Sequence, residues 1–215
     1  MNFKNKNINI KRDKLFLAVV AIFISIYTSF SCVFFASACA GVREDVVRLH
    51  ILANSNSEED QQIKIKVRDA LLKANSDMLS EKVNVDNAHI FFEKNKEELL
   101  DVVLKTLKEN GYCYNAQISL QKENYETREY GNLTFPAGEY LSLKVVLGSG
   151  EGRNWWCVMF PPLCVPAADD VKADNQKTAD YLSPEGVKII NGGEKYVVKF
   201  KLLELYEELM QKIKE

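Results

Sequence analysis

The sequence predicts an α+β protein, in which an N-terminal signal or anchor helix precedes one domain with a mostly antiparallel sheet packed by about three helices. Three observations lead to this fold class. An apolar run without charges comes first, segments with apolar residues at helical spacing follow, and later segments alternate between apolar and polar residues. The 215 residues, 47% of them hydrophobic, suffice for one domain and an additional segment.

The N-terminus predicts insertion into a membrane. Residues 1–14 carry five basic side chains and one acidic side chain, and residues 15–40 form an uncharged apolar run. About 20 apolar residues cross a bilayer as a helix, and a basic flank stays on the cytoplasmic side. We therefore expect the chain after Gly41 to lie outside the cytoplasm. Ala38-Cys39-Ala40 also fits a signal peptidase site, so an anchor and a cleaved signal both remain open.

The exported body is net acidic, because the whole chain has a formal charge of −2 although its first residues are basic. Phosphate contacts need clustered Lys and Arg, so we expect no nucleic-acid partner. We divide the body into a core over residues 41–165, an exposed linker over residues 166–186, and a C-terminal amphipathic helix over residues 187–215 that docks on the core.

The first half of the core predicts a strand followed by two helices. Residues 46–53 fit a buried strand with a partly polar edge, and Ser57 with Asp60 fits a helix N-terminus. A second helix is expected over residues 87–109, ended by Asn110-Gly111. The apolar stripes of the two helices are Ile63, Val67, Ala70, Leu71, Ala74 and Met78 in the first, and Phe92, Leu99, Leu100, Val103, Leu104 and Leu107 in the second.

The second half predicts an antiparallel meander of three strands, over residues 112–121, 140–147 and 154–160. The loop of residues 148–152 would join the last two strands as a hairpin. A closing helix over residues 195–214 would dock on the sheet through Phe200, Leu203, Tyr206 (or Leu205) and Leu209.

Both tryptophans of the chain are adjacent, at Trp155 and Trp156. Neighbouring residues on a strand point to opposite faces, so one ring should enter a core and the other should lie on the surface or under a loop. Pro161-Pro162 ends the strand, because neither proline can donate a ladder hydrogen bond.

Three cysteines follow the apolar segment, at Cys113, Cys157 and Cys164. Outside the cytoplasm a disulfide can persist, and a Cys157–Cys164 bond through a short Pro-rich loop is favoured. Cys113 would then be a buried free thiol. The alternative keeps all three cysteines reduced, and spacing alone does not decide between the two.

No motif predicts a metal site, a cofactor or a catalytic residue. His50 and His89 are the two histidines of the chain, and neither Cys-x-x-Cys nor His-x-x-x-His occurs. Arg48 and His50 point the same way on the first strand, since they are two residues apart. Asp69 could pair with either of them. Residues expected to have a structural role at this strand-to-helix corner and on the last strand are Asn54, Ser55, Asp60, Arg68, Asp69 and Asn154. The alternative is a nucleophilic couple of Cys157 or Cys164 with His50.

Several of these motifs together resemble one protein family. The opening of the stage II sporulation protein R family is similar to three segments of this chain: the run RLHILANS from Arg48 to Ser55, Asp60-Gln61, and Lys64 to Ala70. The second half of the family resembles three further segments of this chain: Pro136 to Tyr140, the glycines of residues 148–152, and Asn154 to Cys164. The resemblance covers roughly residues 45–165.

The resemblance implies a secreted or membrane-tethered sporulation signal, made in the forespore and exported into the space between the two cells. Such a signal activates a membrane-embedded aspartic-type protease of the mother-cell membrane, which processes the precursor of the early mother-cell sigma factor. It is an activator and not itself an enzyme. The alternative function is an exported cysteine-dependent hydrolase that acts in the intermembrane space or on the cell wall.

We expect the surface that binds this protease to include the outward-facing ring of Trp155 or Trp156, because Trp often dominates interface energy. Pro161 and Pro162 would hold that ring rigid and lower the ordering cost of binding. Arg48 and His50 are further candidates for contact.

Overall fold

A computed structural model describes residues 3–78, 88–130, 132–161 and 182–214, and within these ranges the chain forms six helices and six strands. In chain order the elements are α1 (Phe3–Glu44), β1 (Val47–Leu52), α2 (Glu58–Met78), α3 (Ala88–Lys94), α4 (Lys96–Glu109), β2 (Ala116–Tyr125), β3 (Arg128–Tyr130), β4 (Leu133–Phe135), β5 (Gly138–Leu147), β6 (Asn154–Phe160), α5 (Pro184–Asn191) and α6 (Gly193–Lys214). The predicted α+β class is confirmed.

The apolar segment lies in α1, which continues past the predicted end at Ala40 to Glu44. By length and composition α1 could cross a membrane. Its last turns are part of the folded body, because Cys39 and Val42 are fully buried. The boundary between the apolar segment and the domain therefore runs through a continuous helix.

The main sheet is mixed, with the strand order β2-β5-β1-β6. β1 is parallel to β5 and antiparallel to β6, and β2 is antiparallel to β5. The predicted hairpin between the last two strands is wrong, because β1 lies between them. The physical reason is burial: β1 is covered on both faces, which favours a central position in the sheet.

The glycine-rich loop of residues 148–152 consequently passes over the end of β1. The backbone N–H of Gly152 donates to Ala53 O at 2.8 Å, and that of Glu151 donates to Asn54 O at 3.2 Å. Gly148 has a φ of +57°, and a Cβ at this position would collide with the Asn54 side chain. Glycine is thus required where the loop crosses the strand.

Helices α2 and α4 cover one face of the sheet, where Leu49 and Ile51 of β1 point. The predicted second helix is interrupted at Asn95, which separates α3 from α4. The predicted apolar stripes provide the buried residues Ile63, Val67, Leu71, Phe92, Leu99, Val103 and Leu107.

The opposite face of the sheet carries a short hairpin, β3–β4, that the sequence did not predict. β2 begins four residues later than predicted and extends to Tyr125. Cys113 precedes it and is exposed and free, so the expectation of a buried thiol is wrong. The run that contains Cys113 is irregular backbone in front of the strand.

The C-terminal helix α6 docks on α1 and not on the sheet as predicted. Phe200 and Leu203 are buried beside Phe35, Ala38 and Cys39 of α1. The other residues expected to dock, Leu205, Tyr206 and Leu209, are exposed. The prediction failed because the last turns of α1 offer an apolar surface that a membrane segment was not expected to share with the domain. Of the predicted linker, residues 166–181 lie outside the described residues, and α5 begins within its end.

Candidate functional site

The sheet face opposite α2 and α4 carries a concentration of polar and aromatic side chains. Strand alternation places Arg48 and His50 of β1 on this face, and register places Trp156 of β6 directly opposite His50. We use the name His50 cluster for His50, Glu123, Lys144, Asn154 and Trp156. Arg48 lies next to this cluster among four aromatic rings.

His50 is held by contacts on every side. Its Nδ1 lies 3.0 and 3.1 Å from the two carboxylate oxygens of Glu123, and its Nε2 lies 3.0 Å from Asn154 Oδ1. Its ring stacks on Trp156 with the centroids 3.5 Å apart. An imidazolium would donate at both nitrogens, whereas a neutral ring donates to Glu123 and needs the Asn154 amide turned to donate in return.

Glu123 is the acidic centre of the cluster. Burial raises its pKa, but a hydrogen bond from Ser142 and the nearby charge of His50 outweigh burial and hold the pKa below its ordinary value. Lys144 Nζ lies 3.4 Å from Glu123 Oε1 and remains partly exposed. The carboxylate therefore stays charged at neutral pH and orients the His50 ring.

Arg48 is fully buried, and its guanidinium carbon lies 4.4 Å from the ring centroid of Tyr125 and 5.0 Å from that of Tyr140. Tyr130 and Phe135, at 5.4 Å each, complete an aromatic cage around it. Within the described part of the chain, its three guanidinium nitrogens have no hydrogen-bond partner. Cation–π attraction is thus the visible compensation for burying this charge. With no exposed surface, Arg48 can shape the wall of the site but offers no direct contact to a partner.

A second polar group fixes the corner where β1 leads into α2. Asn54 Nδ2 and Ser55 Oγ both donate to Asp60 Oδ2, at 2.9 and 2.6 Å, and Tyr114 Oη donates to Oδ1 at 3.0 Å. Burial raises the pKa of Asp60, yet these hydrogen bonds prevail and lower it below the ordinary value. Ser57 caps the helix by accepting from the Asp60 N–H.

Asn54 connects this corner to the glycine-rich loop. Its Oδ1 accepts from the backbone N–H of Ser149 at 3.0 Å, and its backbone carbonyl accepts from Ser149 Oγ at 2.7 Å. The structure thus brings Asn54, Ser55 and Asp60 together as one polar corner, at the end of β1 beyond His50.

The predicted pairing of Asp69 with Arg48 or His50 is wrong. Asp69 pairs with the neighbouring Arg68 at 2.7 Å, because α2 lies across the sheet from both. The guanidinium of Arg68 stacks over the Trp155 ring at 4.5 Å. The His50 partner is Glu123, which lies 73 residues away in sequence.

The two tryptophans point to opposite faces, as alternation predicts. Trp155 packs towards α2 under Arg68, and Trp156 packs against His50 and Tyr125. Both rings are half-buried, so the expected contrast between a core ring and a surface ring is not found. A cleft of about 390 Å³ lies beside Trp156, and it is also lined by Tyr130, Thr134 and Lys201.

Cys157 is disulfide-bonded. Cys164, its predicted partner, lies outside the described residues together with Pro162, so the pairing stays a prediction. Pro161 is described and is buried. Cys157 lies opposite Leu49, on the sheet face away from His50. It therefore provides no thiolate for a couple with that histidine.

Glu123, Lys144 and the aromatic cage were missed by sequence reasoning. The sequence signal for the cage is the presence of three tyrosines, Tyr125, Tyr130 and Tyr140, within 16 residues. Among the described residues, no group of three or more His, Cys, Asp or Glu side chains could hold a metal ion.

The fold and the site define a class: an α+β domain carried on an apolar N-terminal helix, with a packed polar and aromatic cluster on one sheet face. A family model described as Stage II sporulation protein R (spore_II_R) matches residues 43–170, and the chain belongs to this family of sporulation proteins. The matched range contains the His50 cluster, Arg48 and the polar corner.

Among curated proteins, the Stage II sporulation protein R of Bacillus subtilis (strain 168) is 36% identical over 123 residues, which cover 57% of this chain and 55% of that relative. The chain thus matches about half the length of this relative. No solved structure matches the chain.

Proposed function

We propose that the chain is a sporulation signal, made in the forespore, that activates a membrane-embedded aspartic-type protease in the mother-cell membrane. Activation leads to processing of the precursor of the early mother-cell sigma factor. The proposal rests first on membership of the family, whose model matches residues 43–170. The apolar helix α1, a candidate signal or anchor, is compatible with export of the domain into the space between the two cells.

The observation that carries the contact surface is the fixed position of Trp156. Its ring is stacked on His50 and lies at the edge of the cleft lined by Tyr130 and Thr134. A half-buried aromatic ring that is already held in place loses little conformational entropy on binding. More of the free energy of its contacts therefore remains as affinity. Trp156 is therefore the favoured anchor for the protease, and His50 and Glu123 hold it.

An activator shifts an equilibrium only if it binds the active state more tightly than the inactive state. In our proposal the rigid Trp156 surface fits a conformation of the protease that is sparsely populated without the signal. The chain then contributes no reacting group, and the protease supplies the catalysis.

The test is reconstitution of the full chain with the protease and the sigma-factor precursor in liposomes. We expect the chain to stimulate cleavage of the precursor, and we expect no cleavage with a protease whose catalytic aspartate is replaced by Asn. Two outcomes would overturn the proposal: cleavage by the chain when the protease is absent, or no stimulation by a chain that is folded and retains its Cys157 disulfide.

A further inference from the structure

Helix α6 has an exposed apolar stripe that the family match does not include, since the match ends at residue 170. The stripe residues are exposed by between 52% (Leu209) and 75% (Ile213). Their spacing of three and four residues places them on one side of the helix. The stripe consists of Val198, Leu202, Leu205, Leu209 and Ile213, with Tyr206 beside it.

The stripe points away from the folded domain. The polar side of α6 faces the domain instead: Lys201 and Glu204 line the clefts beside β2 and β3. Glu208 and Gln211 line the second of these clefts, of about 580 Å³. A helix that turns its polar side to its own domain and its apolar side outwards requires an apolar environment there.

A third side of α6 packs on the end of α1. Phe200 contacts Phe35 with ring centroids 5.3 Å apart, and Lys199 Nζ donates to Ser31 Oγ at 2.8 Å. Arg43 lies 3.8 Å from Glu207. These contacts fix α6 beside α1 and parallel to it: its first turns, at Lys199 and Phe200, are level with residues 31–35, and Glu207 is level with Arg43, about 12 Å farther along α1.

The position along α1 indicates what covers the stripe. The apolar run begins at Leu15, and roughly 20 helical residues cross the hydrocarbon core. Phe35, to which α6 docks, therefore lies at about the outer boundary of the hydrocarbon. The apolar surface is continuous from α1 to α6, because a cavity of about 320 Å³ is lined by Val33 and Ala36 on one helix and by Leu202 on the other.

We propose that α6 is a second membrane-contacting element, and that the first part of its stripe, Val198, Leu202 and Leu205, lies in the outer boundary of the bilayer that α1 crosses. The occupant of the stripe is lipid. Tyr206 has the amphipathic ring that is favoured at this depth, and the exposed stripe of α6 continues the exposed surface of α1 at Val33 and Phe34. This inference rests on the proposed membrane insertion of α1, but not on the activation of the protease.

The consequence is a fixed orientation of the domain. Two elements that enter the same membrane side by side prevent rotation about α1, and α6 contacts the β2–β3 region next to Trp156. The candidate contact surface is then held at a constant height above the membrane, where a membrane-embedded protease can reach it.

The test is depth-dependent quenching in liposomes of phosphatidylcholine and phosphatidylglycerol. The full chain carries Cys32→Ser and Cys113→Ser, and a single environment-sensitive fluorophore is attached at Leu202→Cys or Leu205→Cys. The matched control is Lys201→Cys, which is on the polar side of the same helix and at nearly the same height as Leu202. Cys32, Cys113, Lys201, Leu202 and Leu205 are all exposed, and near-ultraviolet circular dichroism checks the fold of each variant.

We expect lipids with a quencher near the headgroup to quench the labels at Leu202 and Leu205 roughly threefold more than the label at Lys201, because only the apolar side of the helix faces lipid. Equal quenching at the three positions would overturn the inference. A second copy of the chain is the alternative occupant of the stripe. The inference would also be overturned if the label at Leu205 reported an apolar environment that lipid quenchers do not reach and that appears only in nanodiscs with two chains. A label at Phe23→Cys, measured with lipids that carry the quencher near the end of the acyl chain, reports on α1: an unquenched label there would overturn the membrane insertion itself, whereas a quenched label at Phe23→Cys with unquenched stripe labels overturns only the role of α6.

Discussion

The imidazole of His50 lies flat against the indole of Trp156, with ring centroids 3.5 Å apart and planes within 19° of parallel. The two residues are directly opposite each other on β1 and β6. Tyr125 closes another side of the indole, with its ring centroid at 5.1 Å. The indole thus has one defined position, which depends on residues from three strands.

We predict that Trp156→Ala folds but loses activation of the protease by at least about tenfold, the effect of removing an interface anchor worth more than 1.4 kcal/mol. The measurement is the rate of precursor cleavage at equal concentrations of folded chain. The control is Trp155→Ala, which removes the stack under Arg68 on the other face. This control should lower the free energy of unfolding by about 2 kcal/mol and leave activation intact. Normal activation by both variants would show that neither ring is an anchor.

The polar corner yields a prediction about acid stability. The pKa of Asp60 is lower in the folded chain than its ordinary value, which is about 3.9. Its contribution to stability is therefore complete above that value and is lost as the pH falls through the lower folded pKa. Asp60→Asn should cost about 1–3 kcal/mol at pH 7 and reduce the loss of stability below pH ~4.

The measurement is the free energy of unfolding by urea, at a series of pH values from neutral down to below pH ~4, the range called the acid limb. Glu59→Gln is the matched control, because Glu59 is an exposed acidic residue in the same helical turn. It should change the free energy of unfolding by less than about 0.5 kcal/mol. An identical acid limb in the wild-type chain and Asp60→Asn would contradict the lowered pKa.

Local sequence patterns correctly predicted that the residues of this polar corner have a structural role where the strand leads into the helix. Asn54, Ser55 and Asp60 lie within seven residues of one another, and helix capping is a short-range property. The partner of His50 could not be predicted in this way. Glu123 reaches it only because β2 and β1 both pair with β5, and strand order is decided by burial over the whole sheet.

Strand order also explains the failed hairpin. A glycine-rich loop between two strands is normally a hairpin signal, and here it spans the inserted β1. Helix α6 shows a similar limit: its amphipathic pattern predicted that Phe200 docks, but the pattern contains no information on whether the sheet or α1 receives it. The predicted elements were largely right, and the errors concern which elements touch.

The aromatic cage around Arg48 predicts that replacing this buried charge with an uncharged side chain does not destabilise the fold. The guanidinium is buried without a hydrogen-bond partner among the described residues, and replacing buried ionic groups by apolar side chains is often neutral or stabilising. We predict that Arg48→Met leaves the free energy of unfolding within about 1 kcal/mol of the wild-type value or raises it. Arg48→Lys should lower it by about 2 kcal/mol, because a compact, strongly hydrated ammonium cannot stack flat on Tyr125.

Urea unfolding at neutral pH measures both variants. A loss of more than about 3 kcal/mol in Arg48→Met would show that the cation has a strong ionic partner. The pair of variants separates volume from charge, since Met and Lys have similar length and differ in the buried charge.

The disulfide of Cys157 decides whether a cysteine mechanism is available to the folded domain. We predict that the denatured, unreduced chain has three reactive thiols, which are Cys32, Cys39 and Cys113. Cys157→Ser should lower the free energy of unfolding by about 2–4 kcal/mol, whereas Cys113→Ser, at an exposed free thiol, should change it by less than about 0.5 kcal/mol. Thiol titration and urea unfolding measure the two effects. Five reactive thiols would mean that Cys157 is reduced, and a nucleophilic role for the cysteines would again have to be tested against the activator function.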